Sequence, residues 1–275
     1  MRKSIVMNVL KSTCVRRTTW LVPSVALAVL VSVADRPTAA RSLDAVKQRG
    51  TIVLCAHPNA LPFAAKKGEV PGFQVELGQA IAERLGVSLR RQWVINGYQI
   101  RRADCDIVLD AIGGRAALIE FGMRPSRPYQ RSGVILAVRE AETSIGSLAD
   151  LKPGERVGVQ VGSLVSMLLG KQGIETTPFA FEDEMMDALA RGEIAAAAVS
   201  YATVGYHNRT HPVARLRTIH AFKAEPDLNW NVAVGMVKPD DKLRQSIDSA
   251  LESMLQDGTI ARIYARYGVE LNPPQ

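Results

Sequence analysis

Short apolar runs alternate with helix-spaced amphipathic segments along most of the chain, and that alternation constrains the fold more than any other feature. TIVLCA, residues 51–56, is an uninterrupted apolar run, as expected of a strand buried on both faces. HPNALPF follows with two prolines and an asparagine and reads as a loop. GFQVELGQAIAERLG, 72–86, places Val75, Leu77, Ile81 and Leu85 near helical spacing and stops at Gly86. VSLRRQW (87–93), CDIVLDA (105–111), GVILAV (133–138), RVGVQ (156–160), AAAAVSYA (195–202) and WNVAVGMV (230–237) read as further strands. Helices are predicted over 42–48, in LVSMLLG after Gly162-Ser163, within PFAFEDEMMDALARGEI, and over 243–267 with a break at Asp257-Gly258. This order predicts an α/β fold with mostly parallel sheets. Ligands of open α/β sheets sit beyond the carboxyl ends of strands. Those ends are HPNALPF, DAIGGR, QVGS and SYATVGY, four loops from two halves of the chain.

The first forty residues read as a secretory leader rather than as part of the fold. A basic stretch (Arg2, Lys3, Lys11, Arg16, Arg17) precedes an uncharged apolar run from Trp20 to Val33, and Thr38-Ala39-Ala40 supplies small residues for cleavage. The apolar run has 14 residues, against roughly 20 for a membrane-spanning helix, so a free periplasmic protein beginning near Arg41 is expected. Without residues 1–40 the net charge falls from +7 to +2, which removes the charge argument for a nucleic-acid partner. A monomer without cofactor is expected.

Two cysteines remain, Cys55 and Cys105. If their strands are adjacent and parallel, with Cys55 near the end of one and Cys105 at the start of the other, an offset of three or four residues separates them by roughly 10–13 Å. That is beyond disulfide reach, so free thiols are expected. The histidines His57, His207, His211 and His220 lack metal-site spacing; His211 precedes Pro212 in a turn-like NRTHP stretch. No metal site is predicted, because such sites need three or four converging ligands.

The segments IVLCAHPNALPF, GFQVELGQAIAERLG, CDIVLDA, RPY, VGVQVGS and ESMLQDGTIARIYARYG together resemble periplasmic solute-binding proteins of the amino-acid-receptor type (type II, family 3). The resemblance runs from about Leu43 to Val269. It implies a two-lobed α/β periplasmic binding protein fold with two crossovers, closing over a ligand by hinge motion. The implied lobes are 41–133 plus 235–275, and 134–234. More narrowly, CAHPNALPF, DCDIVLDA, RPYQRSGVILAV and SYATVGY resemble the MxaJ/XoxJ-type branch associated with quinoprotein methanol dehydrogenases. That branch has a second asparagine where Ala60 stands, and an AGY where Val204-Gly205-Tyr206 stands.

Receptors of this type carry an arginine about ten residues before the tyrosine of the PY pair, where it clamps a carboxylate. Ten residues before Tyr129 stands Ile119; Arg115 comes four residues earlier, after Gly113-Gly114. Ser200 stands where an acid would neutralise an α-ammonium. Gly162-Ser163 remains at a helix start, where free N–H groups hold anions. The candidate cleft residues are His57, Asn59, Phe63, Trp93, Asp110, Arg115, Tyr129, Ser163, Ser200, Tyr201 and Trp230. For Arg115 the competing assignment is a solvated guanidinium paired with Glu120 or Asp110. For Trp93 and Trp230 it is core packing.

Three function classes follow. The narrow resemblance and the missing clamp favour an accessory protein that binds a PQQ-dependent methanol dehydrogenase. The second is a transporter receptor for a small solute other than a standard amino acid. An enzyme on this scaffold needs a placed acid in the cleft, and Glu120 and Asp110 are the only nearby carboxylates. Residues 41–133 carry 14 Lys/Arg against 8 Asp/Glu. A basic first lobe suits an acidic partner, docking through Arg90, Arg91, Arg101 and Arg102.

Overall fold

The structure is a computed structural model that describes residues 41–112 and 122–275. Residues 1–40, expected to be a leader, Gly113-Gly114-Arg115 and Glu120 lie outside the described residues, as does the side chain of Arg101.

Helix α1 (Leu43–Arg49) opens on Ser42, whose hydroxyl accepts from the Ala45 N–H at 3.1 Å. Strand β1 (Thr51–Ala56), helix α2 (Phe73–Arg84) and edge strand β4 (Ser88–Trp93) follow, with the short ribbon β2 (Asn59–Ala60) and β3 (Ala64–Ala65) between β1 and α2. Then come α3 (Gly97–Arg102), β5 (Ile107–Ile112), β6 (Met123–Pro125) and β7 (Gln130–Arg139). Strand β1 pairs in parallel with β4 and β5. Alternate residues of β1 face opposite ways. Ile52, Leu54 and Ala56 enter a core with Leu77 and Ile81 of α2, while Cys55 faces Val94 and Cys105.

The second lobe is built from β8 (Val157–Gln160), α4 (Leu164–Lys171), β9 (Thr176–Phe179), α5 (Glu182–Ala190), β10 (Ala196–Ser200), α6 (Tyr201–Thr210) and β11 (Leu216–Ile219). Its sheet is buried on both faces. Val165 and Leu169 of α4 pack with Leu136, Val138, Ala196 and Ala198; Met185 and Leu189 of α5 pack with Ile135, Ala137, Ala197 and Val199. Small residues are required at the strands. A Cβ on Gly158 would stand 2.5 Å from Ile194 and 2.8 Å from Met185.

Strand β12 (Asn229–Val237) returns to the first lobe, where α7 (Asp241–Gln256) and α8 (Thr259–Arg266) complete the core. The helical break falls at Asp257-Gly258, as the sequence predicts. β7 and β12 are antiparallel and pass side by side between the two cores. The sheet path β4-β1-β5-β12-β7-β10-β8-β9 is therefore mixed: each lobe has three parallel strands, joined through an antiparallel pair. Beside that pair, α6 meets the chain after α8 backbone to backbone. A Cβ on Gly205 would stand 2.2 Å from the Gly268 carbonyl oxygen, and Gly268 itself has φ +70°.

Two expectations need correction. SYATVGYHNRT does not continue the strand or form a turn: after Ser200 it is helix α6, because the Ser200 hydroxyl accepts from the Thr203 N–H at 3.2 Å and caps it. His207 and His211 stack with ring centroids 4.6 Å apart at its end, and no cluster able to hold a metal occurs among the described residues.

The second correction concerns the cysteines. Cys55 and Cys105 form a disulfide, with Cα atoms 5.5 Å apart. Cys55 pairs with Val108, the three-residue offset assumed above. However, Cys105 precedes β5 and does not extend its line. The segment 103–105 crosses over the face of β1 that carries Cys55, so distance along the strand is irrelevant.

Candidate functional site: an acid at each strand end

Leu109 and Asp110 together face the single residue Val234: Ala233 pairs with Ala111, whereas Gly235 pairs with Val108. Such a bulge re-aims a side chain, and Asp110 takes φ 52°, an uncommon left-handed conformation that aspartate tolerates better than most residues. Its carboxylate accepts from Gln74 Nε2 of α2 at 2.7 Å and from the Tyr129 hydroxyl at 2.9 Å. Burial raises its pKa to about 6 against the pull of these two bonds, leaving the group partly protonated near neutrality. Burial, and then the Asp110 charge, push the Tyr129 hydroxyl far above its ordinary range.

A second acid, missed in the sequence, stands in the other lobe. Glu182 begins α5, and its carboxylate receives a short hydrogen bond from the Thr203 hydroxyl, with the Ser200 hydroxyl at 3.4 Å. Burial raises its pKa despite these donors. The Ser200 hydroxyl thus hydrogen-bonds a carboxylate that comes from another segment. Its one sign in the sequence is the first acid of FEDE, which on its own suits a solvated first helical turn.

The other candidates divide between lips and core. His57, whose Nδ1 accepts from the Asn59 N–H at 3.1 Å, lies 6.1 Å ring to ring from Phe181 of the second lobe, so the loops after β1 and β9 meet there. Asn59 is exposed on β2. Ser163 caps α4 by accepting from the Ser166 N–H at 3.3 Å. Phe63, Trp93 and Trp230 pack against the first core, and Tyr129 is buried with its hydroxyl bonded to Asp110. Tyr201 turns to His220, hydroxyl to Nδ1 at 3.1 Å, and lines a different cavity. Arg115 lies outside the described residues. Arg90 and Arg91 are exposed on edge strand β4, and Arg102 at the end of α3.

A pH dependence follows from Asp110. Its folded pKa lies above the unfolded value of 3.8, so its contribution to stability is present at acidic pH and lost as pH rises through about 6. Denaturant melts between pH 4 and 7 are expected to show a loss of about 2–3 kcal/mol from this group. Asp110→Asn, which keeps the shape and tolerates the backbone, is expected to flatten that slope; an unchanged slope would rule Asp110 out as its source.

No helix among the described residues is long and apolar enough to cross a membrane. The model of the bacterial extracellular solute-binding proteins, family 3, matches residues 52–270. The probable amino-acid-binding protein YxeM of Bacillus subtilis is 24% identical over 92% of this chain and 95% of its own length. The L-cystine-binding protein TcyJ of Escherichia coli is 25% identical over 82% and 85%. Among solved structures, an ancestral cationic amino-acid solute-binding protein superposes with a TM-score of 0.69 at 24% identity, covering 82% of this chain and 98% of that one. Two lobes joined by paired crossover strands, with the match spanning both lobes, place the protein among family 3 of the bacterial extracellular solute-binding proteins.

Proposed function

We propose that the protein is a periplasmic receptor of a solute transporter, and that it captures a small cationic solute with an apolar body between lobes formed by 41–133 plus 235–275 and by 134–234. The observation that carries this reading is the Asp110 bulge: a carboxylate, raised to a pKa of about 6, is what the described end of β5 presents. Glu182 stands beside the end of β10 in the other lobe. A cation held near Asp110 favours its ionised form and offsets the cost of burying it. Large exposed apolar side chains follow the ends of other strands in the same sheet: Ile95 and Tyr98 after β4, Val161, Leu164 and Met167 after β8, and Phe181 after β9. They suit a solute less polar than an ordinary amino acid. His57, Asn59 and Ser163 complete the proposed lining.

Thermal melts against aromatic and alkyl amines and the twenty amino acids test the reading. A ligand at a hundred times its Kd adds about 2.7 kcal/mol, a shift of several degrees. Apolar amines are expected to give that shift and Asp110→Asn to abolish it. A response confined to α-amino acids and indifferent to Asp110→Asn would overturn the proposal.

A second reading, docking to a PQQ-dependent methanol dehydrogenase, draws support from the exposed Arg90, Arg91 and Arg102 on one edge of the first lobe. Such docking would weaken with salt. Binding to the immobilised dehydrogenase that vanishes in the Arg90→Glu/Arg91→Glu variant would favour it, and no binding at low salt would exclude it.

A further inference from the structure

A second cavity, of about 490 Å³, lies against the paired strands β7 and β12 and shares no lining residue with the acids described above. Its volume is within the range of small-molecule sites. One wall is β7 itself, through Arg131 and Ser132; a second is α6 with Tyr201, and His220 after β11; the third is the tail after α8. That tail is fastened to both crossover strands. The Arg131 N–H donates to the Asn272 carbonyl at 2.9 Å, and the side chain of Asn231, which pairs with Arg131 across the strands, exchanges two hydrogen bonds with the Gln275 backbone.

The polar groups here are left unused. Among the described residues, the Arg131 guanidinium and the hydroxyls of Ser132 and Thr218 make no hydrogen bond or ion pair. His220 is held only through Nδ1, by the Tyr201 hydroxyl at 3.1 Å. A half-buried guanidinium beside two free hydroxyls and an open imidazole nitrogen is donor-rich, and its fork matches a carboxylate. Glu270 in the same wall disfavours polyanions and offers an acceptor to a hydroxyl.

We propose that this cavity is a second binding site, for a small hydroxycarboxylate held by Arg131. Its walls come from both lobes and from the strands that join them, so occupancy favours one lobe angle over others. A ligand there would bias the cleft without entering it.

The test is melting of the full chain with the monoanions glycolate and lactate, against sodium chloride at equal ionic strength. A saturable rise of a few degrees with at least one carboxylate is expected, with no rise in chloride. Arg131→Gln is expected to remove it while leaving the unliganded melt within about a degree, because the guanidinium has no partner to lose; Thr218→Ala is expected to weaken it. Asp110→Asn is expected to leave it intact, which separates this site from the proposed cleft. No saturable rise, or a rise that survives Arg131→Gln, would overturn the proposal.

Discussion

Replacing Cys55 and Cys105 together by alanine, or reducing the bond between them, is expected to lower the unfolding free energy by about 4 kcal/mol. The two cysteines are 50 residues apart, and cross-linking a loop of that length removes denatured-state freedom worth about 4 kcal/mol in the chain-entropy model. The loop spans α2, β4 and α3, a large part of the first lobe. Both sulfurs are buried beside Val94, so alanine adds a modest loss of packing, whereas serine would bury a hydroxyl. Urea titrations with and without reductant measure the effect, and alkylation of the denatured, unreduced chain counts the thiols. Coincident midpoints, or labelling at Cys55 and Cys105, would contradict the bond.

The second large effect is expected at Asp106. Its side chain is fully buried and accepts from Arg41 at 3.2 Å, Arg49 at 2.5 Å and the Val53 N–H at 2.8 Å. Asp106→Ala leaves that buried N–H unpaired and takes the anion from Arg49, while Arg41 keeps Asp104 at 3.0 Å; breaking a buried pair costs about 3–5 kcal/mol. The arginines are 21% and 41% exposed and can turn to water, so about 3 kcal/mol is expected. Asp106→Asn keeps one acceptor and is expected to lose less. A fall below about 1 kcal/mol for the alanine variant would mean that the arginines do not depend on this carboxylate. Arg41 also donates its backbone N–H to the Lys238 carbonyl, so the variant is expected to loosen the start of the described chain first.

Much of the fold could be read from the sequence because local chemistry decides it. β1 is recognisable from an unbroken apolar run, α2 from its spacing, and the α7–α8 break from Asp257-Gly258. α6 was hidden because SYATVGYHNRT is neither strongly apolar nor periodic; its start depends on one serine hydroxyl. The disulfide was lost for a geometric reason, since an offset along two strands says nothing about a segment that crosses their face. The site was half legible. Asp110, Ser163 and Ser200 lie at strand ends, where position alone selects them. Glu182 and Gln74 needed the tertiary fold, because each reaches its partner from a helix that carries no sign of the contact. Trp93, Trp230 and Phe63 each pack one side against the first core while staying partly exposed, and sequence alone does not divide an aromatic side chain in that way.

The apposition of Gly205 and Gly268 has a consequence for how such a molecule diversifies. Side chains at an articulation can be exchanged in small steps, each altering the fit a little. Here backbone meets backbone, and any side chain at either position collides with a main-chain oxygen. The contact thus has no gradations: it is kept whole or it is lost. Residues elsewhere can therefore be rewritten one by one, while this backbone contact stays as it is.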